Sequence, residues 1–103
     1  MLTEQEIKEL RGFLDEEGRL HTFPSKRKKK LLAFLYLAER FEDGKPYTEK
    51  EVNALLNGWH TFGDPATLRR ELVDHHLLTR DAYGTEYRKA EQPFTVDDLL
   101  SLY

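Results

Sequence analysis

Residues 31–41 read LLAFLYLAERF, and no other stretch narrows the fold as much. On a helical wheel Leu31, Leu32, Phe34, Leu35, Leu37, Ala38 and Phe41 point almost all round. Lys29, Ala33, Tyr36 and Arg40 share the one stripe left for solvent. A helix apolar over so much of its surface sits at the centre of a domain. The pattern predicts it over residues 26–41, capped by Ser25 after the break at Pro24. With 103 residues, 39% hydrophobic and 34% charged, the chain makes one small domain with a modest core. That core covers the helix only if a terminal segment packs on it, or if a partner chain does, as a homodimer or with another protein. The terminal packing residues are Leu2, Ile7 and Leu10, or Phe94, Leu99 and Leu102.

Other start and stop signals place the remaining elements. Thr3 with Glu6 is a capping-box pair, so a helix begins there, with Leu2, Ile7, Leu10 and Leu14 at helical spacing and Glu17-Gly18 as its end. Residues 18–23, GRLHTF, make a short extended piece. After the turn DGKP at residues 43–46, Thr48 and Glu51 form a second capping box for a helix over residues 49–57, with Val52, Leu55 and Leu56 inward. Asp64 caps the next helix, and Pro65 takes its first position, where a missing N–H costs nothing. That helix runs over residues 65–76. Residues 77–80 and 85–88 then pair as strands around DAYG. Thr95 caps a final helical turn in FTVDDLLSLY.

The order of helix, extended piece, three helices and hairpin predicts a mainly α domain with a small β-hairpin, of winged helix-turn-helix type. Residues 1–24 form the N-terminal helix and lead-in, 25–92 the winged-helix-like domain, and 93–103 a short C-terminal helix or tail. The stretches KRKKKLL, YTEKEVN, DPATLRRELVD and LLTRD…Y occur in an order that resembles a bacterial family of domains of unknown function. Members of that family occur alone or fused behind an arsenical-repressor-type helix-turn-helix. The resemblance spans about two-thirds of the chain. It implies a winged-helix-like fold and a role in bacterial transcription, and brings no catalytic or ligand residues with it. Residues 1–24 are too short for a second helix-turn-helix, which departs from the fused form.

The helix opened by Asp64 turns Leu68, Leu72, Val73 and Ala66 inward, with Pro65 and His76 on the same arc. Thr67, Arg70 and Asp74 centre its outer face, flanked by Glu71 and His75. Reading helices touch bases with their N-terminal residues, which here means Ala66, Thr67 and Arg70, with Thr67 and Arg70 able to hydrogen-bond a base or phosphate. Arg69 falls inside the apolar arc and reads as a structural ion pair with its stem on the core. The run Lys26, Arg27, Lys28, Lys29, Lys30 places cations at a helix N-terminus, against the macrodipole. An anionic partner explains that placement, and a solvated turn is the bland alternative. In the wing, Arg80, Arg88 and Lys89 reach for phosphate, with Asp81 and Glu86 diluting the charge.

Much chemistry is excluded. Without cysteine there is no disulfide framework, zinc ribbon or thiol catalysis. His75 and His76 project about 100° apart on a helix, and no carboxylate stands at zinc-type spacing to a second histidine. There is no nucleophile elbow and no Gly-rich phosphate loop. An enzyme, a metal or a cofactor is not expected. The opening MLTEQEIKEL is charged and periodic, unlike a signal peptide, and no apolar run approaches a membrane span. A cytoplasmic protein with no membrane partner is expected. Two function classes remain: a module that binds duplex DNA, and a protein-interaction module that keeps the fold without binding DNA. The net charge of −3 favours the second.

Overall fold

A computed structural model describes residues 2–91 and 95–102. The chain is mainly helical, with one antiparallel hairpin, an architecture compatible with a small winged helix. Helix α1 (Glu4–Leu10) begins at the Thr3–Glu6 capping box read from the sequence. It ends sooner than its spacing suggests, tightening into a 3₁₀ turn at Arg11–Phe13. The Asp15 carboxylate then gathers the amides of Glu17 and Arg19 at 3.0 and 2.8 Å, and Gly18 turns back with φ 79°. That reversal brings Leu20 beside Leu14 on one side and His60 on the other, in single-residue β-bridges.

Helix α2 (Arg27–Ala38) is the central element. Its N-cap is Lys26 and not Ser25, and no side chain caps it. Lys26 is extended, with φ −74° and ψ 138°, so the helix starts one residue beyond the position where the serine would serve. All eight residues from Leu31 to Ala38 are buried. Ala33 and Tyr36 were expected on the solvent stripe, yet they are 0% and 8% exposed. Tyr36 donates its hydroxyl to the Gly18 carbonyl at 2.7 Å and meets Trp59 edge-on, so loops before α2 and after α3 cover that flank.

Both terminal segments pack on α2. Leu2, Leu10, Val96 and Leu99 join the same hydrophobic cluster as α2. Ile7, expected among the packing residues, is 39% exposed, so of the α1 residues named only Leu10 is buried. Phe94 and the Leu102 side chain lie outside the described residues. Helix α5 (Val96–Leu102) starts at Thr95, whose hydroxyl accepts from the Asp98 amide at 3.2 Å.

Helix α3 (Glu49–Asn57) repeats the capping box with Thr48 and Glu51, and α4 (Pro65–Asp74) starts at Asp64 with proline at its first turn. The two pack against each other. Strands β1 (Leu78–Arg80) and β2 (Tyr87–Lys89) pair with Leu78 opposite Lys89 and Arg80 opposite Tyr87. The second strand starts later than its sequence suggests. Asp81 draws residues 85 and 86 into the loop, its carboxylate taking the amides of Thr85 and Glu86 at 2.7 and 3.2 Å. Tyr47, just before α3, adds a one-residue third strand: its amide donates to the Tyr87 carbonyl at 2.8 Å and its carbonyl accepts at 2.7 Å. This ties the hairpin to the start of α3.

Candidate nucleic-acid interface

The outer face of α4 is built by its cap. The Asp64 carboxylate accepts from the Thr67 amide at 3.3 Å, and hydrogen bonding from the Thr67 side chain holds the Asp64 carboxyl below its usual value. The Arg70 guanidinium lowers it further through its charge. Leu68 and Leu72 are buried beneath, while Thr67, Arg70 and Asp74 are exposed. His76 leaves the inward arc. It sits in the left-handed region, φ 61°, just past the end of α4, and is exposed. His75, placed by the wheel at the outer edge, instead stacks on Phe34 of α2 at 4.7 Å. The wheel carries that helix straight on, whereas the real chain unwinds at Asp74.

Arg69 and Arg70 part company. Arg69 lies across α3, its guanidinium 2.5 Å from Asn53 Oδ1 and 3.5 Å from Glu49 Oε1. The Tyr87 hydroxyl of β2 donates to the same Glu49 oxygen at 3.4 Å. One carboxylate at the start of α3 thus joins α4 and the wing. Arg70 points into a groove between α4 and the hairpin, about 210 Å³ in volume, lined by Arg69, Arg70, Val73, Asp74, Arg80 and Tyr87. Among the described residues, neither the Arg70 nor the Arg80 guanidinium makes a hydrogen bond or ion pair. At the hairpin tip, Tyr83 is 89% exposed.

The other cations are largely engaged within the chain. Arg27 donates to the Leu100 carbonyl of α5 at 2.9 Å, Lys28 lies 3.5 Å from Glu9 of α1, and Lys29 stands 5.8 Å over the Phe13 ring. The side chains of Lys26 and Lys30 make no hydrogen bond or ion pair among the described residues. In the wing, Arg88 pairs with Glu86 at 3.1 Å and donates to the Gly44 carbonyl at 3.0 Å, while Lys89 pairs with Asp43 at 3.2 Å. So Arg70 and Arg80 come together, with Thr67 nearby on the outer face of α4, and Arg88 and Lys89 turn back to the loop between α2 and α3. No described contact joins the basic run to this groove.

Residues 19–89 match the family described as an uncharacterized protein conserved in bacteria, DUF2087. The chain belongs to that family. No curated protein and no solved structure matches it. The DUF2087 stretch opens in the turn made by Asp15 and Arg19 and closes at the end of β2. It therefore contains α2, α3, α4, the wing and the groove, and leaves out α1 and α5, the two terminal helices that pack on α2. Two features of this DUF2087 domain escaped the sequence reading. Tyr47 as a strand has no period to betray it. His60, in the turn between α3 and α4, reads as one aromatic among several in WHTF. Among the described residues, no group of three or more histidines, cysteines and carboxylates is placed to hold a metal, and no helix is long and apolar enough to cross a membrane.

Proposed function

We propose that the domain docks α4 and its wing on duplex DNA, as a transcription-regulator module of winged-helix type. One observation carries the reading: Arg70 and Arg80, on α4 and β1, line one groove, and their guanidiniums make no hydrogen bond or ion pair among the described residues. Such a pair suits backbone phosphate, and Thr67 beside Arg70 occupies the part of a reading helix that reaches base edges. Lys26 and Lys30 are outlying contacts. Arg27, Lys28, Arg88 and Lys89 are spent inside the chain, which makes the footprint small. A footprint of a few phosphates gives a logarithmic salt slope of about two to four.

Affinity for a random-sequence duplex, measured by fluorescence anisotropy across a salt series, tests this. Arg70→Ala and Arg80→Ala should each weaken binding for all sequences and lower the slope by about one. Lys28→Ala and Arg88→Ala should leave the slope unchanged. Binding that depends on the basic run and ignores Arg70 would move the interface elsewhere. No binding at low salt would overturn the reading. The second reading, a protein-interaction module, is favoured by the internal pairing of the wing cations and by the net charge of −3.

A further inference from the structure

His60 is buried, 3% exposed, in the turn that joins α3 to α4. Both ring nitrogens are engaged. Nδ1 lies 2.5 Å from the Leu56 carbonyl in the last turn of α3, and Nε2 lies 2.9 Å from the Asp64 amide at the cap of α4. A carbonyl only accepts and a peptide N–H only donates, so Nδ1 must carry the proton and Nε2 must be bare. The ring is thus held as one neutral tautomer, braced between the two helices. The surrounding contacts fix it in place. Leu20 bridges to it from the segment before α2, and the Phe62 ring stands 4.6 Å away edge-on. Asp64 is the charged group acting on it from the α4 side, with Arg70 acting on Asp64 in turn. From α3 it meets the Leu56 carbonyl, and the Leu20 segment pairs with its backbone and brings no charged group from Leu20.

A second proton on His60 would destroy the brace at one end. Nε2–H would face the Asp64 N–H, donor against donor, at a site too buried for water to compensate freely. The new donor needs an acceptor, and the Asp64 carboxylate is the charged one at hand. That carboxylate is the cap of α4, now accepting from Thr67. We propose that His60 is a proton-operated latch on α4: protonation draws the Asp64 carboxylate away from Thr67 and loosens the first turn, which carries Thr67 and leads into Arg70. As regulation of DNA contact, the latch rests on the reading of α4 given above; as a property of the free domain it does not.

The free domain is therefore tested first. The ring of His60 and the amides of Asp64 and Thr67 are followed by NMR from about pH 8 to about pH 5, the range in which histidines titrate. The two amides should shift with the midpoint of the His60 ring. In His60→Gln the side-chain amide offers a donor and an acceptor without titrating, so those shifts should vanish. In Asp64→Asn, which still caps the helix but cannot receive the imidazolium charge, the Thr67 amide should lose its response; this variant serves if His60→Gln does not fold. Amides that stay still while the ring titrates, amides that shift unchanged in either variant, or a ring that never titrates before acid unfolding would overturn the latch. Duplex binding is measured next at both ends of the range. Wild type should lose about fivefold more affinity on acidification than His60→Gln, the equilibrium worth of one helix cap. Absence of DNA binding would end the functional reading and leave the amide result standing.

Discussion

Arg69 and Arg70 are neighbours in sequence and about 100° apart on the helix, and that angle decides what each does. Arg69→Ala should destabilise the domain by about 1–2 kcal/mol. Most of that comes from the Asn53 hydrogen bond and the packed stem, since the Glu49 end is 54% exposed and a wet ion pair adds little. Arg70→Ala should shift stability by less than about 0.5 kcal/mol. Urea denaturation of the two variants separates them. The wheel made Arg69 legible, because it falls between Leu72 and Val73. It could not show that Arg88 reaches the Gly44 carbonyl, 44 residues away in sequence, so the wing looked more cationic than it is. Asp81 closes the wing loop, and hydrogen bonding from the Thr85 side chain leads the contributions that hold its carboxyl below 3.8, the ordinary value. A folded value below the unfolded one stabilises above 3.8, and that gain disappears as pH falls through the folded value. The amides of Thr85 and Glu86 should therefore lose exchange protection on acidification below 3.8, and Asp81→Asn should flatten that dependence. Protection unchanged by the substitution would show that the carboxylate does not hold the loop.

At the scale of elements, the capped helices were the legible ones. Thr3–Glu6 and Thr48–Glu51 are complete capping boxes, and each was written in the chain as T-x-x-E. Helix α2 is the opposite case. It has no side-chain cap, and cations crowd its positive end. Its helicity comes from burial of residues 31–38, which is why a broad apolar pattern announced it better than any start signal did. Thermal unfolding checks the contrast. Thr48→Ala should cost about 1 kcal/mol, while Ser25→Ala should change stability by less than about 0.5 kcal/mol, because the serine stands outside the cap. A large loss at Ser25 would mean that the helix starts earlier in solution. Arg27 escapes the unfavourable end of α2 by donating to the Leu100 carbonyl, placing its charge at the negative end of α5. No local pattern could have shown this, since it depends on how two distant helices meet.

For the molecule as a whole, the apolar excess of α2 is answered largely from within. Leu99, fully buried in the cluster around α2, should cost about 2–4 kcal/mol when replaced by alanine. Ile7→Ala should cost less than about 1 kcal/mol, because its side chain already meets solvent. Chemical denaturation of both variants tests whether α5 is part of the cooperative unit, and a near-neutral Leu99→Ala would remove it. The need for cover was legible in the wheel of α2. Its source was not, because a partner chain would have satisfied the same pattern. The bond from Arg27 to Leu100 spans 73 residues, which gives the fold a temporal order. A ribosome adds about 5–20 residues per second, so α2 emerges several seconds before the helix that closes over it. During that interval α2 is covered by α1 and the loop before it, then by Trp59 after α3 and by α4, which packs on it and is followed by His75 against Phe34. The cover that α5 adds is the last to arrive, a distant contact that cannot form until synthesis has passed it.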